Sequence, residues 1–245
     1  MALPAVREHM VIDGAGILFL AIVCLGVPYL AWRSSERAGS GPLPIPRRRF
    51  FIQTIFVQLY LGALAFAAAW RNGIDLLATP AAPLPAWTLA AAFLALLLGV
   101  MRWRWPHRGE ESKEKLVRLL PRERGELAPY FALCLAAGVC EELVYRGTTA
   151  VLLTRLTGNL LAAIVIASAV FALAHVIQGR RAAIVVFCIA LGAHALVFLT
   201  KSLFPVMAVH ALYDAVGGVL MSRWYRRELE SAPQPQVLSQ TTPIR

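Results

Sequence analysis

The chain contains seven apolar stretches that are each long enough to cross a membrane, and this feature constrains its fold more than any other. A helix rises 1.5 Å per residue, so about 20 residues cross a hydrocarbon core of ~30 Å. The stretches lie at about 11–32, 50–70, 86–101, 128–153, 160–178, 182–200 and 203–222. The composition agrees, since 58% of the residues are hydrophobic, 16% are charged and the mean hydropathy is +0.63. The sequence therefore predicts an all-α fold, a polytopic membrane bundle of about seven transmembrane helices.

The positions of the basic residues predict the orientation of the bundle. With the N-terminus outside, the loops 33–49, 102–127 and 179–181 and the tail 223–245 lie on the inner side and hold 19 of the 24 Lys and Arg residues. Four others lie outside and Arg146 lies within a span, a split that follows the positive-inside rule. We attribute the net charge of +10 to topology and to anionic lipid headgroups, and we expect no nucleic-acid partner. The C-terminus is then cytoplasmic.

We divide the chain into four segments. They are the first three transmembrane helices at 1–101, a basic cytoplasmic loop at 102–127, a transmembrane core at 128–222 and a cytoplasmic tail at 223–245. Leu116, Leu119 and Leu120 could line one face of the loop, which predicts an amphipathic helix on the inner leaflet. The tail is rich in Pro, Gln and Ser, and we predict that it is disordered.

Polar residues within the spans are the candidates for function. A charged side chain at the centre of a membrane helix costs on the order of 2.5 to 3.5 kcal/mol, so few are expected without a role. The candidates are Glu141, Glu142 and Arg146 in the fourth span, His175 in the fifth, His194 in the sixth, and His210 with Asp214 in the seventh. We interpret His194 as a structural histidine.

The two adjacent glutamates have different surroundings in a helix. Glu142 and Arg146 are four residues apart with the acid first, the favourable order for a helical ion pair. Glu141 lies about 100° round the helix and has no local partner. A carboxyl in that position suits general base catalysis. The alternative is that both glutamates only hold helices together.

Two further spans contribute imidazoles. His210 and Asp214 are four residues apart and share one helix face, and His175 follows Phe171 by four residues in another span. Two histidines and two acids that converge on one bundle predict a functional site, with Phe171 in a supporting position.

These residues form three motifs whose order resembles a known family. Glu-Glu-x-x-x-Arg at 141–146, Phe-x-x-x-His at 171–175 and His-x-x-x-Asp at 210–214 resemble the motifs of the CPBP family, which contains CAAX proteases and bacteriocin-processing enzymes. The resemblance covers roughly 128–222 and implies an intramembrane endopeptidase with a water-accessible cavity inside a helical bundle. It also implies that Glu141 activates the water with help from His175, while Glu142 and Arg146 form a supporting pair.

The third motif departs from part of the family. The resemblance places His210 and Asp214 where the family stabilises the oxyanion, but the eukaryotic type II CAAX prenyl endopeptidase has Asn at the position of Asp214. An ionised aspartate would repel an oxyanion. Either Asp214 is protonated in an apolar site, or it orients His210 and does not contact the oxyanion.

The sequence leaves three mechanisms open. In the first, Glu141 takes a proton from the attacking water, no acyl-enzyme forms and no cofactor is required. In the second, Glu141, His175 and His210 bind zinc, with water as the fourth ligand. In the third, the protein is a non-enzymatic scaffold or a proton-coupled transporter.

Helix depth and residue usage add two expectations. Counted from the outer ends, His175 lies about 22 Å along its helix and His210 about 11 Å along its own. The two can meet only if helices tilt, break or start at positions other than the predicted ones, and Gly147 is a plausible break. Arg outnumbers Lys by 21 to 3, which suggests a GC-rich bacterial genome and hence the inner membrane. Prenylated substrates are then not expected, and a membrane-tethered protein, peptide or C-terminal sorting tail is the hypothesis.

Overall fold

The computed structural model describes residues 11–37, 45–78 and 80–231, and within these ranges the chain forms helices and loops with no β-strand. The helices in chain order are α1 (Gly14–Ala21), the π-helical segment π1 (Ile22–Gly26), α2 (Val27–Arg37), α3 (Arg47–Arg71), α4 (Leu84–Arg104), α5 (Glu110–Val117), α6 (Arg124–Glu142), the π-helical segment π2 (Leu143–Thr149), α7 (Ala150–Thr157), α8 (Leu160–Ala174), a 3₁₀ turn (Val176–Gln178), α9 (Arg180–Thr200) and α10 (Phe204–Ser231).

Six helical stretches in the described part of the chain are long and apolar enough to cross a membrane. They are Gly14–Glu36, Arg47–Arg71, Leu84–Arg104, Arg124–Thr157, Arg180–Thr200 and Phe204–Ser231. Each corresponds to one of the predicted spans, and the all-α polytopic bundle is confirmed.

The fifth predicted span, 160–178, is a shorter helix than expected. Helix α8 has 15 residues, which gives it a length of about 22 Å, below the thickness of the hydrocarbon core. It ends because His175 leaves helical geometry at φ −98° and ψ 8°, and a 3₁₀ turn then leads to Gly179 at φ 101°, a conformation that favours glycine. His175 therefore lies at the end of a helix rather than within one.

The fourth predicted span is longer than expected and is not broken. Helices α6 and α7 join through π2 into one stretch of 34 residues, and Gly147 lies within π2. A Cβ atom on Gly147 would lie 2.7 Å from Leu76 Cδ2 and 3.5 Å from Leu203 Cδ1. The loop that contains Leu76 and the loop that contains Leu203 thus both approach this stretch at Gly147. The absence of a side chain at Gly147 permits that approach.

The position of Leu203 explains how the two predicted histidines can meet. Leu203 directly precedes α10, so α10 begins beside Gly147 and not level with the far end of α7 at Thr157. His210 is then carried deeper into the bundle than a count from an outer boundary predicts. The mismatch in depth came from the assumption that every helix starts at the membrane surface.

Helix α6 packs between α3 and α10 at very close range. A Cβ atom on Gly138 would lie 2.7 Å from the backbone nitrogen of Ala211, and one on Gly62 would lie 2.9 Å from Cys140 Sγ. Gly138 is about one turn before the glutamate pair, and Ala211 follows His210. This close approach brings the end of α6 against the histidine of α10.

The basic loop 102–127 contains helix α5, but its leucines face the protein. Leu116 and Leu120 are buried in a cluster with Phe51 and Trp105, and Leu119 is half-buried. The apolar face of this loop therefore covers one end of the bundle rather than lying on a leaflet.

The predicted tail begins later in the chain than expected. Helix α10 continues to Ser231, so 223–231 is helical and not disordered. The remainder of the predicted tail, 232–245, lies outside the described residues.

Candidate active site

The two glutamates lie where α6 passes into π2. Glu142 is the last residue of α6, and its side chain is 1% exposed, whereas the side chain of Glu141 is 13% exposed. A π-helical turn widens the helix by one residue and is frequent at functional sites. The adjacent carboxyl groups therefore point to different sides of the helix, and only that of Glu141 keeps measurable exposure.

Glu142 connects an arginine of its own helix with a histidine of α10. Arg146 Nη1 donates to Glu142 Oε1 at 3.0 Å, and His210 Nδ1 donates to the same oxygen at 2.7 Å. The Arg146 side chain is 2% exposed, so this ion pair is fully buried. Because Nδ1 carries the proton given to Glu142, the second ring nitrogen of His210, Nε2, is the one directed at Glu141.

His175 is held in a similar way by backbone. Its Nδ1 donates to the carbonyl oxygen of Phe171 at 2.8 Å, a contact made possible by the end of α8 at Ala174. The Phe171 ring packs against the His175 ring with centroids 4.5 Å apart and against Tyr145 at 4.8 Å. The packing and the hydrogen bond fix the imidazole so that its Nε2 also faces Glu141.

The carboxyl of Glu141 is the centre of the site. Its Oε1 accepts a hydrogen bond from Gln58 Nε2 at 2.5 Å. Its Oε2 lies 4.0 Å from His175 Nε2 and 3.7 Å from His210 Nε2, and it is buried without a hydrogen-bond partner in the described part of the chain. Both distances exceed the range of a direct hydrogen bond, the case in which a bridging water is considered.

Asp214 occupies the edge of the same group. Its Oδ2 lies 3.6 Å from His210 Nε2, and its side chain is 38% exposed. Tyr130 donates from its hydroxyl to the Asp214 backbone oxygen at 2.7 Å, which anchors α10 to α6 at this level. Glu142 already accepts the hydrogen bond from Nδ1 of His210, so the Asp214 carboxyl faces the other ring nitrogen, Nε2.

The residues singled out by the sequence thus meet in one cluster, except for His194, and one further residue, Gln58, joins them. His194 is buried and lies within electrostatic range of Glu142 and Arg146, but it does not contact Glu141. Gln58 contacts Glu141 yet was not predicted, because a single amide in an otherwise apolar span matches no motif. The only signal in the sequence was its polarity within α3.

A metal ion would need the same side chains. No group of three or more His, Cys, Asp and Glu side chains with the geometry to hold a metal ion occurs in 11–37, 45–78 or 80–231. Glu141, His175 and His210 remain the side chains that a zinc mechanism would use, at the distances given above.

The family comparison covers the part of the chain that holds the motifs. Residues 123–216 match a family model described as type II CAAX prenyl endopeptidase Rce1-like. This segment is similar to that family. The resemblance to the CPBP family is confirmed over that range. No curated protein and no solved structure gives a significant match to the chain.

The matched segment contains all three motifs, from Glu141 to Asp214. It ends within α10 and begins one residue before α6. Gln58 lies outside it, in α3. The hydrogen bond from Gln58 to Glu141 therefore joins the N-terminal helices to the matched segment.

Proposed function

We propose that the protein is an intramembrane endopeptidase that hydrolyses a peptide bond of a membrane-associated protein or peptide with a water activated by Glu141. One observation carries the proposal: Glu141 Oε2, which is buried and has no hydrogen-bond partner among the described residues, faces the Nε2 atoms of His175 and His210 at 4.0 and 3.7 Å. A water between these three atoms would have a carboxylate to accept its proton and an imidazole to hold its second hydrogen.

The reaction then forms no covalent bond between enzyme and substrate. The water oxygen bonds to the carbonyl carbon of the substrate while Glu141 takes one of its protons. The tetrahedral intermediate breaks at its C–N bond, and Glu141 returns the proton to the leaving amine. Both products are released with their new termini, and the protein is unchanged.

His210 suits the stabilisation of the oxyanion. A doubly protonated His210 can donate from Nε2 to the developing negative charge. The carboxylates of Glu142 at 2.7 Å and Asp214 at 3.6 Å would stabilise such an imidazolium. This arrangement removes the conflict raised by the aspartate, because Asp214 interacts with the cation and need not touch the oxyanion.

The substrate is a separate part of the proposal. We infer a membrane-tethered protein or peptide, since the site lies within a bundle of membrane-spanning helices. The experiment compares peptide termini in the membrane fractions of cells with the parental protein, the Glu141→Gln variant and a matched Glu230→Gln variant. Glu230 is exposed, so its substitution controls for the chemical change alone.

Glu141→Gln keeps the oxygen that accepts from Gln58 but cannot accept a proton. We expect cleavage to fall by at least ~10²-fold while the protein still inserts and melts normally, with Glu230→Gln behaving as the parent. Cleavage by Glu141→Gln at the parental rate would show that the glutamates are structural. Termini that do not differ in any strain, with transport that follows a proton gradient, would favour the transporter.

A further inference from the structure

A second cavity lies away from the candidate active site, where the end of α4 meets the last two turns of α10. Its volume is ≈ 260 Å³, and it is lined by two arginines, two tryptophans and a glutamate: Arg102, Arg227, Trp105, Trp224 and Glu228. The basic loop 102–127 lies at this end of the bundle. The volume is just below the roughly 300 to 1,000 Å³ of pockets for drug-sized ligands, so the cavity suits a small polar group.

Contacts within the protein hold the walls of this cavity in place. The rings of Trp105 and Trp224 pack with their centroids 5.8 Å apart, and Cζ of Arg102 lies 5.2 Å from the centre of the Trp224 ring. Trp105 Nε1 donates to Glu228 Oε1 at 2.9 Å, and Lys113 Nζ donates to Glu228 Oε2 at 2.9 Å. A cation over an indole ring is attracted by the π electrons, which orients Arg102 without using its N–H donors.

The protein does not balance the positive charge of the two arginines. Both carboxyl oxygens of Glu228 are already hydrogen-bonded, and its charge is paired with Lys113. Neither Arg102 nor Arg227 forms an ion pair within the described part of the chain. Guanidinium groups bind phosphate oxygens through paired hydrogen bonds. Two of them, from different helices at one cavity, therefore match a phosphate group.

The position of the cavity along its helices favours the phosphate of a lipid. Both α4 and α10 are long and apolar enough to cross a membrane, and the cavity lies at the end of each. Tryptophan is enriched at the level of the lipid headgroups, and Trp103, next to Arg102, is 68% exposed. One turn before Arg102, Leu98 and Gly99 continue the same face of α4 and are at least partly exposed. A lipid can thus place its phosphate at the arginines and an acyl chain along α4, whereas free phosphate would use the arginines alone.

We propose that this cavity binds the phosphate headgroup of an anionic phospholipid, which joins the ends of α4 and α10. Basic pockets between membrane-spanning helices are a known type of site for such headgroups. Because α10 also carries His210 and Asp214, the bound lipid would tether a helix that supplies part of the candidate active site. The binding step needs no catalysis and does not rest on the proposed function.

The test measures binding to the purified full-length protein in a non-ionic detergent by isothermal titration calorimetry. The probes are dihexanoyl phosphatidylglycerol, dihexanoyl phosphatidylcholine and inorganic phosphate. We expect phosphatidylglycerol to bind at least about tenfold more tightly than phosphatidylcholine, because the choline ammonium brings a positive charge to the two arginines. Inorganic phosphate should not displace phosphatidylglycerol below millimolar concentration, because it makes no contact with the apolar surface.

Protein variants then locate the site. Arg102→Gln and Arg227→Gln should each lower the affinity for phosphatidylglycerol about tenfold or more, whereas Arg48→Gln should leave it unchanged. Arg48 is exposed and does not line the cavity, and it lies at the same end of the bundle, since the neighbouring Arg47 donates to the Arg118 carbonyl of the basic loop. All three variants lose one positive charge, so general attraction of an anionic lipid changes equally. Arg227 is exposed, so its variant decides the matter if Arg102→Gln does not fold.

Each outcome decides the inference. Phosphatidylcholine that binds as tightly as phosphatidylglycerol or more tightly, or no binding of phosphatidylglycerol at millimolar concentration, would refute it. A preference for phosphatidylglycerol that survives in Arg227→Gln, or that falls equally in Arg48→Gln, would refute it in favour of general attraction to a basic surface. Displacement of the lipid by inorganic phosphate below millimolar concentration would indicate a site for free phosphate instead. A preference that depends on Arg227 and not on Arg48 supports the inference, even if Glu141→Gln retained full cleavage.

Discussion

Replacing Arg146 by alanine should destabilise the protein more than any substitution at an exposed arginine. Glu142 Oε1 would keep only the hydrogen bond from His210, and its Oε2 already has no partner in the described part of the chain. The substitution would also remove a 3.4 Å hydrogen bond to the Ala190 carbonyl and the guanidinium that lies 4.8 Å from the Phe171 ring centre. The buried carboxylate would lose its arginine counter-charge.

The magnitude follows from the burial of both partners. Removal of one member of a buried ion pair costs ~3 to 5 kcal/mol. In a chain of this size 1 kcal/mol corresponds to a change of roughly 2 to 4 °C in melting temperature, so we expect a decrease of about 6 to 20 °C. Cleavage should decrease as well, because Glu142 orients His210.

The assay is thermal unfolding of the purified protein, with Arg180→Ala as the matched control. Arg180 is exposed, so its substitution should leave the melting temperature within about 1 °C of the parent. A melting temperature of Arg146→Ala within about 2 °C of the parent would refute the reasoning. Glu142 would then not be held as a charged partner.

Three further predictions concern metal, topology and packing. Protein treated with a strong chelator should keep its peptidase activity. Loss of activity on treatment and its recovery with zinc would support the zinc mechanism instead of the glutamate mechanism. Reporter fusions within 102–127 and beyond residue 231 should both report the cytoplasmic side, and a signal from the other side at either place would contradict the predicted orientation. Gly138→Ala should lower the melting temperature, because its Cβ would lie 2.7 Å from the Ala211 nitrogen, whereas Gly99→Ala, which meets nothing within 4 Å, should not.

Much of the candidate site could be predicted because it depends on short-range spacing. The pair Glu142 and Arg146 is fixed by the period of a helix, and buried charge is rare enough in membrane spans to mark the residues that matter. The same argument separated Glu141 from its neighbour. Both inferences require only local geometry, and the structure places these side chains as the spacing indicates.

The other features of the fold depend on how the helices pack against one another. The spacing of residues along the sequence does not reveal this packing. The start of α10 beside Gly147 follows from contacts of Leu203 with a residue more than 50 positions earlier. The early end of α8 depends on the backbone at His175, and no proline or glycine precedes it to mark that end. The leucines of the loop 102–127 are equally compatible with a lipid surface and with the end of the bundle.

Gln58 is a polar residue in a span that the sequence alone characterises only as apolar. Its amide donates to Glu141 Oε1 at 2.5 Å and so orients the carboxylate with Oε2 toward the histidines. Gln58→Leu should lower kcat by roughly tenfold, as expected for a hydrogen bond to a charged group, with little change in KM because Gln58 contacts the base and not the substrate. Gln53→Leu is the matched control, since Gln53 lies on the same helix and is exposed. The measurement is the rate of cleavage of a substrate identified from the membrane-fraction termini, with the melting temperature recorded for each variant. A change in KM alone, or equal effects of the two substitutions, would show that α3 supports the bundle without positioning Glu141.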